Sequence, residues 1–358
     1  MKKKKEYIGI DIFSGAGGLS LGAIWAGIKI PCAVEKDLSA AQTYKTNHPE
    51  TNVFTQDIRE IDPLSLGIKE PFIVFGGPPC QGFSFSNTQT RTLDNDNNSL
   101  FKEFIRFVDL LQPKWFLFEN VEGILSFNKG ETVKQIQKCF EDIGYKIVFD
   151  VLTASNFGVP QNRNRFIMVG NRCGIDFCFP TRKKKSVSVW EAIGDLPELE
   201  NGQMAEVLPY SSDPSPYAKR MRGKSKFATQ NFVSRNQEYV LERYKYIKPG
   251  QNWQAIPEHL MTNYKNRNNC HSGIYRRLEP DKPSIVISNY RKNMLIHPFQ
   301  NRGLSVREAA RLQSFPDDFI FEGTIMYKQQ QIGNAVPPLM AEVIFKQIIH
   351  IYNKQYGG

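Results

Sequence analysis

Residues 76–84 read GGPPCQGFS, and they follow the apolar run PFIVF at residues 71–75. The apolar run is typical of a short buried strand, and the glycines and prolines after it predict an abrupt turn. Cys80 therefore lies just beyond the carboxyl end of a strand, where open α/β sheets bind their ligands. We interpret Cys80 as a nucleophile. The alternative is a small buried thiol, the usual fate of a free cysteine.

The composition is that of a soluble globular protein. A chain of 358 residues with 41% hydrophobic and 23% charged residues is long enough for two domains, or for one domain with a large insertion. Its six cysteines include no CxxC pair, which argues against a disulfide framework or a zinc knuckle. We expect a reducing, cytoplasmic setting, no metal and no membrane-spanning segment.

Positive charge is concentrated in two windows. The net charge is +10, and residues 217–251 hold nine Lys or Arg against two Glu. Residues 261–302 hold eight Lys or Arg against two acids. These windows carry +7 and +6, more than the excess of the whole chain, which predicts a polyanionic partner.

The first hundred residues predict a site for an adenosine-like cofactor. A strand at residues 7–12 leads into the glycine-rich turn FSGAGG at residues 13–18, which lacks the full G-x-G-x-x-G fingerprint. Glu35 and Asp57 follow the next two predicted strands, where Glu35 is placed to bind ribose hydroxyls and Asp57 an adenine amino group. A lone acid is more often a helix cap or a surface carboxylate, so the prediction depends on acids following successive strands.

Three features after Cys80 indicate further site residues. The polar residues 85–99 predict a long loop that acts as a lid. Glu119 follows the apolar residues 115–118, so we expect desolvation to favour its protonated form, although a helix cap is the alternative. Arg163 and Arg165 enter the predicted strand at residues 166–170 on one face, where they clamp an anion or a base edge, or lie on the surface.

The C-terminal half is less regular. Hydrophobic periodicity is lost between about residues 181 and 275, which predicts a second, smaller domain or a large insertion. The stretch LSVREAARLQ at residues 304–313 predicts a helix with a capping box formed by Ser305 and Glu308. A final helix is predicted over residues 339–352.

Six motifs follow one another along the chain: FSGAGG at 13–18, GPPCQ at 77–81, ENV at 119–121, QNRNR at 161–165, REAARLQ at 307–313 and GNAVP at 333–337. Together and in this order they resemble the motifs of the cytosine-C5 DNA methyltransferases of bacterial restriction–modification systems. The resemblance implies a Rossmann-like methyltransferase sheet. It also implies a catalytic domain over 1–180, a target-recognition domain over about 181–300, and a segment 301–358 that returns to the catalytic domain.

The resemblance implies a covalent mechanism. Cys80 would add to carbon 6 of a flipped-out cytosine, and protonated Glu119 would hydrogen-bond ring nitrogen 3. Arg163 and Arg165 would hold the base and keep the surroundings of Cys80 electropositive. Substrate contacts are expected at Gln81 and Ser84.

The resemblance also implies S-adenosylmethionine as the methyl donor and S-adenosylhomocysteine as the product. Phe13 would stack on the adenine, and Ile58 would join Asp57 at the adenine edge. The full expected set of cofactor contacts is Phe13, Ser14, Gly15, Gly17, Gly18, Leu19, Glu35, Asp57, Ile58, Pro79, Leu100, Asn334 and Val336.

The expected partner is double-stranded DNA, bound by a monomer that pairs functionally with a restriction endonuclease without a required complex. An RNA methyltransferase is the first alternative, since some transfer-RNA enzymes share these motifs. Cys178-Phe179-Pro180 departs from the Cys-Phe-Thr signature of that group. A nucleic-acid-binding module or a nicotinamide-dependent oxidoreductase is the second alternative. The oxidoreductase lacks its full glycine fingerprint, and a pure binding module would not need Cys80 or Glu119.

Overall fold

A computed structural model describes residues 6–79, 100–181, 185–262, 273–288, 290 and 294–356. The chain divides into two compact units. The first unit comprises residues 1–153, 164–182 and 338–358, and the second comprises residues 154–163 and 183–337. Within the described ranges, no helix is long and apolar enough to cross a membrane.

A seven-stranded sheet with the order β3-β2-β1-β4-β5-β7-β6 forms the centre of the first unit. The first five strands pair in parallel, and β7 is antiparallel to both β5 and β6. This topology confirms the predicted Rossmann-like α/β class. The strands are β1 Tyr7–Ile12, β2 Ile28–Val34, β3 Asn52–Phe54, β4 Ile73–Gly76, β5 Trp115–Val121, β6 Lys146–Thr153 and β7 Asn164–Asn171.

Helices in the connections between strands supply the other apolar face of the core. Six of the twelve residues of the third helix are buried, among them Phe104 and Phe107, and they pack with side chains of β1, β4 and β5. The helices are α1 Gly18–Trp25, α2 Leu38–Asn47, α3 Leu100–Leu111 and α4 Glu131–Asp142.

The second unit contains more regular structure than the loss of hydrophobic periodicity indicated. Its helices and paired strands are five to ten residues long, too short for a period to be read in the sequence. They are α5 Val189–Ile193, β8 Met204–Pro209, α6 Pro216–Arg222, β9 Phe227–Phe232, α7 Glu238–Tyr244, α8 Val306–Leu312 and α9 Ile325–Asn334.

The predicted capping box of α8 is confirmed. The Glu308 backbone N–H donates to Ser305 Oγ at 3.1 Å, and the Ser305 N–H donates to Glu308 Oε2 at 2.7 Å. The helix lies in the second unit, however, whereas the resemblance implies that residues 301–358 return to the catalytic domain. All seven of its residues are buried, and Arg307 donates to the backbone and hydroxyl of Thr229 on β9.

Only the last helix, α10 Pro338–Tyr356, returns to the first unit. It packs tightly on α1 because Gly22 has no side chain. A Cβ at Gly22 would lie 2.5 Å from the Cβ of Ala341 and 2.6 Å from the carbonyl oxygen of Pro338. The helix begins at Pro338, where a missing N–H costs nothing in the first turn.

Candidate active site

The turn after β4 begins in a backbone conformation that requires glycine. Gly76 has φ +159°, and a Cβ there would overlap the carbonyl oxygen of Ile12 on the neighbouring β1. The described part of the turn ends at Pro79. Cys80, Gln81, Ser84 and the proposed lid at residues 85–99 lie outside the described residues, so their roles stay predictions.

Glu119 lies directly against the start of this turn. A Cβ on Gly77 would collide with Glu119 Oε2, so the carboxylate occupies the space that any larger residue at 77 would need. The strand β5 extends to Val121, so Glu119 lies inside it, and Glu119 pairs with Ile167 on the neighbouring β7. Glu119 is therefore a strand residue whose carboxylate lies beside Gly77, three positions before Cys80 in the sequence.

Arg165 holds the other side of the Glu119 carboxylate. Its Nε lies 2.7 Å from Glu119 Oε1, and both side chains are nearly buried, at 11% and 12% exposure. Burial lowers the pKa of Arg165, and the charge of Glu119 opposes that shift. An arginine at this distance stabilises the ionised carboxylate, whereas the desolvation expected from the sequence favours the protonated form.

Arg163 makes its described contacts within the second unit. The residue is 1% exposed, and its guanidinium donates to the carbonyl oxygens of Ile287, at 3.1 Å, and Gly333, at 2.7 Å. β7 begins at Asn164, so the strand alternation that predicts a shared face for Arg163 and Arg165 does not extend to Arg163. A role for Arg163 toward the base stays a prediction.

The glycine-rich turn after β1 has the left-handed backbone that its sequence requires. Gly15 and Gly17 have φ values of +54° and +92°, and Phe13 adopts +61°. The Gly15 N–H donates to Glu35 Oε2 at 2.7 Å, and the Asp37 N–H donates to Glu35 Oε1 at 2.7 Å. Burial raises the pKa of Glu35, while these two hydrogen bonds oppose the shift.

Asp57 lies just after β3, and its carboxylate is bound by two cationic side chains. It accepts from Arg59 Nε at 2.9 Å and from Lys36 Nζ at 2.7 Å. The Arg59 and Lys36 hydrogen bonds lower the pKa of Asp57. A ligand amino group would share Asp57 with them.

Three of the expected apolar cofactor contacts lie together in the first unit. Ile58 and the first residue of α3, Leu100, are buried in one cluster, and Phe13 packs against it. Asn334 and Val336, the expected contacts from the end of the chain, lie at the end of α9 and after it in the second unit. Their role toward a cofactor stays a prediction.

A buried carboxylate in β1 was not identified from the sequence. Asp11 is fully buried, Ser20 Oγ donates to its Oδ2 at 2.6 Å, and Tyr44 donates to Ser20 Oγ. Burial raises the pKa of Asp11 well above its usual range. Among the described residues, Asp11 Oδ1 and Ser14 Oγ are buried without a hydrogen-bond partner. The signal was an acid inside the apolar strand YIGIDI.

Comparison with known proteins gives one consistent family. A profile described as C-5 cytosine-specific DNA methylase matches residues 7–350. The chain is 38% identical to the Type II methyltransferase M1.HphI of Haemophilus parahaemolyticus, over 95% of this chain and 86% of that protein. It is 37% identical to the Type II methyltransferase M.DdeI of Desulfomicrobium norvegicum, over 95% and 88%.

A solved structure is similar to nearly the whole of this chain. It is a crystal structure from Escherichia coli of a protein assigned as a DNA modification methyltransferase encoded within a prophage. The TM-score is 0.80 at 27% sequence identity, and the match covers 97% of this chain and 100% of that chain.

Proposed function

We propose, because this chain belongs to the family of C-5 cytosine-specific DNA methylases, that it transfers a methyl group from S-adenosylmethionine to carbon 5 of cytosine in duplex DNA. One observation carries the proposal. The carboxylate of Glu119 is held between Gly77 and Arg165, at the start of the turn that leads to Cys80 in the sequence. An acid and a cysteine at this turn are what cytosine activation needs.

The residues of the first unit fit S-adenosylmethionine, which supplies an electrophilic methyl group when bound. Asp11 Oδ1 and Ser14 Oγ are buried polar atoms that a polar ligand would satisfy. Glu35 would bind the ribose hydroxyls, Asp57 the adenine amino group, and Phe13 the face of the adenine.

Cys80 and Glu119 would act on opposite parts of the cytosine ring. The Cys80 thiolate forms a bond to carbon 6, and the displaced ring electrons make carbon 5 nucleophilic. A hydrogen bond from protonated Glu119 to nitrogen 3 stabilises the charge that develops there. Carbon 5 takes the methyl group and then loses its proton to a base. The electrons of that C–H bond restore the ring double bond and expel the thiolate.

Arg165 would position Glu119 and contribute positive potential. A guanidinium 2.7 Å from the carboxylate orients it and stays charged throughout the reaction. Positive charge near a cysteine favours its thiolate. The same guanidinium favours the ionised carboxylate, so we infer that binding of the base supplies the change toward the protonated form.

The substrate would be a base flipped out of duplex DNA, because carbons 5 and 6 cannot be reached inside the stack. The second unit would supply DNA contacts, including those that select the site. By analogy with the Type II relatives, methylation would protect host DNA from a partner endonuclease in the cytoplasm. We further propose that the chain acts as a monomer.

Bisulfite sequencing of DNA from cells that express the chain tests the proposal. Wild type should protect cytosines in one short sequence context, and Cys80→Ser should protect none. Cys139→Ser, which replaces a half-buried thiol on α4, is the matched control and should act as wild type. Methylation by Cys80→Ser at the wild-type level would contradict the covalent mechanism.

A second experiment traps the bond itself. Duplex DNA with 5-fluorocytosine at the methylated position should form an adduct that survives denaturation, because fluorine cannot leave as the proton does. Labelled methyl groups offered to duplex DNA and to transfer RNA separate the two nucleic-acid substrates. Label in RNA alone would exclude DNA as the substrate.

A further inference from the structure

Much of the positive charge in the two basic windows is used inside the second unit. Arg277 is 5% exposed and donates to four backbone carbonyl oxygens and to the side chain of Asn301. Arg243 donates to the carbonyl oxygen of Leu260 and to the hydroxyl of Tyr275. These two buried arginines stabilise loops through hydrogen bonds, so their guanidinium groups are not exposed for direct contact with a partner.

Residues 219–227 differ from that pattern, and we call them the basic corner. They read KRMRGKSKF and contain five Lys or Arg and no acid. The corner includes the end of α6, a turn at Gly223 with φ +53°, and the start of β9. Lys219, Lys224 and Lys226 are exposed, and none makes an ion pair or side-chain hydrogen bond with another described residue.

Arg222, in the same segment, has a structural role instead. Its Nε lies 2.7 Å from Asp195 Oδ2, and its guanidinium lies 3.7 Å from the ring centre of Tyr210. It also donates to the carbonyl oxygen of Ser212. The charge of Arg222 is therefore compensated within the unit, whereas that of the three lysines is not.

The inner side of the corner is fixed to the second unit. The Tyr217 hydroxyl donates to the carbonyl oxygen of Arg311 at 2.5 Å, and Met221 is 0% exposed. The Asp317 N–H donates to the carbonyl oxygen of Met221 at 2.8 Å, and Thr229 Oγ1 donates to that of Asp317 at 2.8 Å. A backbone held on both sides of the turn presents its lysines with little ordering cost on binding.

We propose that the basic corner is an element of the second unit that binds the phosphate backbone of duplex DNA, with one phosphate for each of Lys219, Lys224 and Lys226. The inference rests on the proposed function, because it takes DNA as the polyanion. Exposed uncompensated lysines match the charge of a phosphate, and contacts of this kind carry no sequence information. The corner should therefore set affinity and its salt dependence without selecting the methylated site.

The test compares two triple variants with equal changes in net charge. The first replaces Lys219, Lys224 and Lys226 by Gln. The second is the matched control and replaces three lysines that each form an ion pair with a glutamate three residues earlier. These are Lys134 with Glu131, Lys245 with Glu242, and Lys282 with Glu279.

The measured quantity is the dissociation constant for duplex DNA of arbitrary sequence across a range of salt. Each lost phosphate contact should reduce the slope of log K against log salt by about 0.9, so the corner variant should lose about 2.7. The control variant should keep a slope within about one of wild type. Equal slopes for the corner variant and wild type would overturn the proposal.

Methyl transfer measured on the same preparations separates this inference from the proposed function. At saturating DNA the corner variant should transfer methyl groups at the wild-type rate, because the lysines touch no reacting atom. A much lower rate at saturation would overturn the assignment of a purely phosphate-binding role. A wild-type chain that methylates no DNA would refute the proposed function, while the comparison of slopes, which needs no chemistry, would still decide the role of the corner.

Discussion

Glu119 Oε1 lies 2.7 Å from Arg165 Nε across the antiparallel pairing of β5 with β7, and Glu119 Oε2 abuts Gly77. The carboxylate is thus fixed by a charge on one side and by backbone on the other. This arrangement also couples the position of the acid to the start of the turn, three positions before Cys80 in the sequence.

Glu119→Gln should lower kcat by about 100-fold or more, because the amide cannot carry the proton that stabilises the developing charge on the base. It should also destabilise the first unit by about 3 kcal/mol, because the nearly buried Arg165 loses its counterion. Steady-state methyl transfer and urea unfolding measure the two effects. Affinity for duplex DNA should persist.

Glu122→Gln is the control for that variant. Glu122 is exposed three residues later, where it accepts a hydrogen bond from Asn164 Nδ2 at 3.0 Å. The amide oxygen of glutamine can accept the same bond, so kcat should stay within about twofold of wild type. Equal losses in Glu119→Gln and Glu122→Gln would contradict a specific role for Glu119.

Gly77→Ala should reduce kcat by about 100-fold, because the added methyl group displaces the Glu119 carboxylate and small misplacements of catalytic groups are costly. Single-turnover methyl transfer with saturating DNA measures the effect. Gly303→Ala is the control, since its Cβ would meet its nearest atoms at 3.8 Å, an ordinary contact. A Gly77→Ala enzyme with wild-type turnover would show that Glu119 has another position available.

The sequence predicts the parts of this site that depend on neighbouring residues. The turn at Gly76 and the cap of α8 follow from local chemistry, since each uses residues a few positions apart. The partners of Arg163 could not be predicted in this way. Ile287 and Gly333 are 124 and 170 residues away in the chain, and their carbonyl oxygens are acceptors that every residue possesses.

The sequence also could not show which basic residues are structural and which are exposed to a partner, because that too depends on residues distant in the chain. The charge count of a window does not distinguish Arg277, enclosed by carbonyl oxygens, from Lys224, which is exposed. That difference is set by which distant loops close over a side chain. The early β strands were easier, because the series of acids at their ends is visible in the order of the chain.

Asp57→Ala should weaken S-adenosylmethionine binding by about tenfold, the loss of one charge-assisted hydrogen bond, with kcat at saturating cofactor largely kept. Calorimetric titration with S-adenosylhomocysteine measures the affinity without turnover. Asp62→Ala is the matched control, because both acids cap short helical turns. Asp57 accepts from the Arg59 N–H at 3.1 Å and Asp62 from the Leu64 N–H at 3.0 Å. Equal weakening in both variants would indicate only a lost cap.

His297 should make the second unit sensitive to acid. The pKa of His297 is lowered to about 4, chiefly by burial; Glu308 opposes this shift, and the charges of Arg302 and Arg277 add to it. Since the pKa in the unfolded chain is higher, about 6.5, the unfolded state takes up the proton first as pH falls. Stability present above pH 6.5 is therefore lost between that value and about 4, and the loss at pH 5 is about 2 kcal/mol.

His297→Gln should remove that part of the pH dependence, because glutamine does not titrate and its amide oxygen can accept the hydrogen bonds that the Phe299 and Gln300 N–H groups donate to His297 Nδ1. Urea unfolding at pH 7 and pH 5 measures it: the wild type should lose about 2 kcal/mol more than the variant between the two values. His350→Gln, at an exposed position on α10, should lose as much as wild type. If His297→Gln lost the same stability as wild type, the burial of a neutral His297 would not be the source of the acid sensitivity.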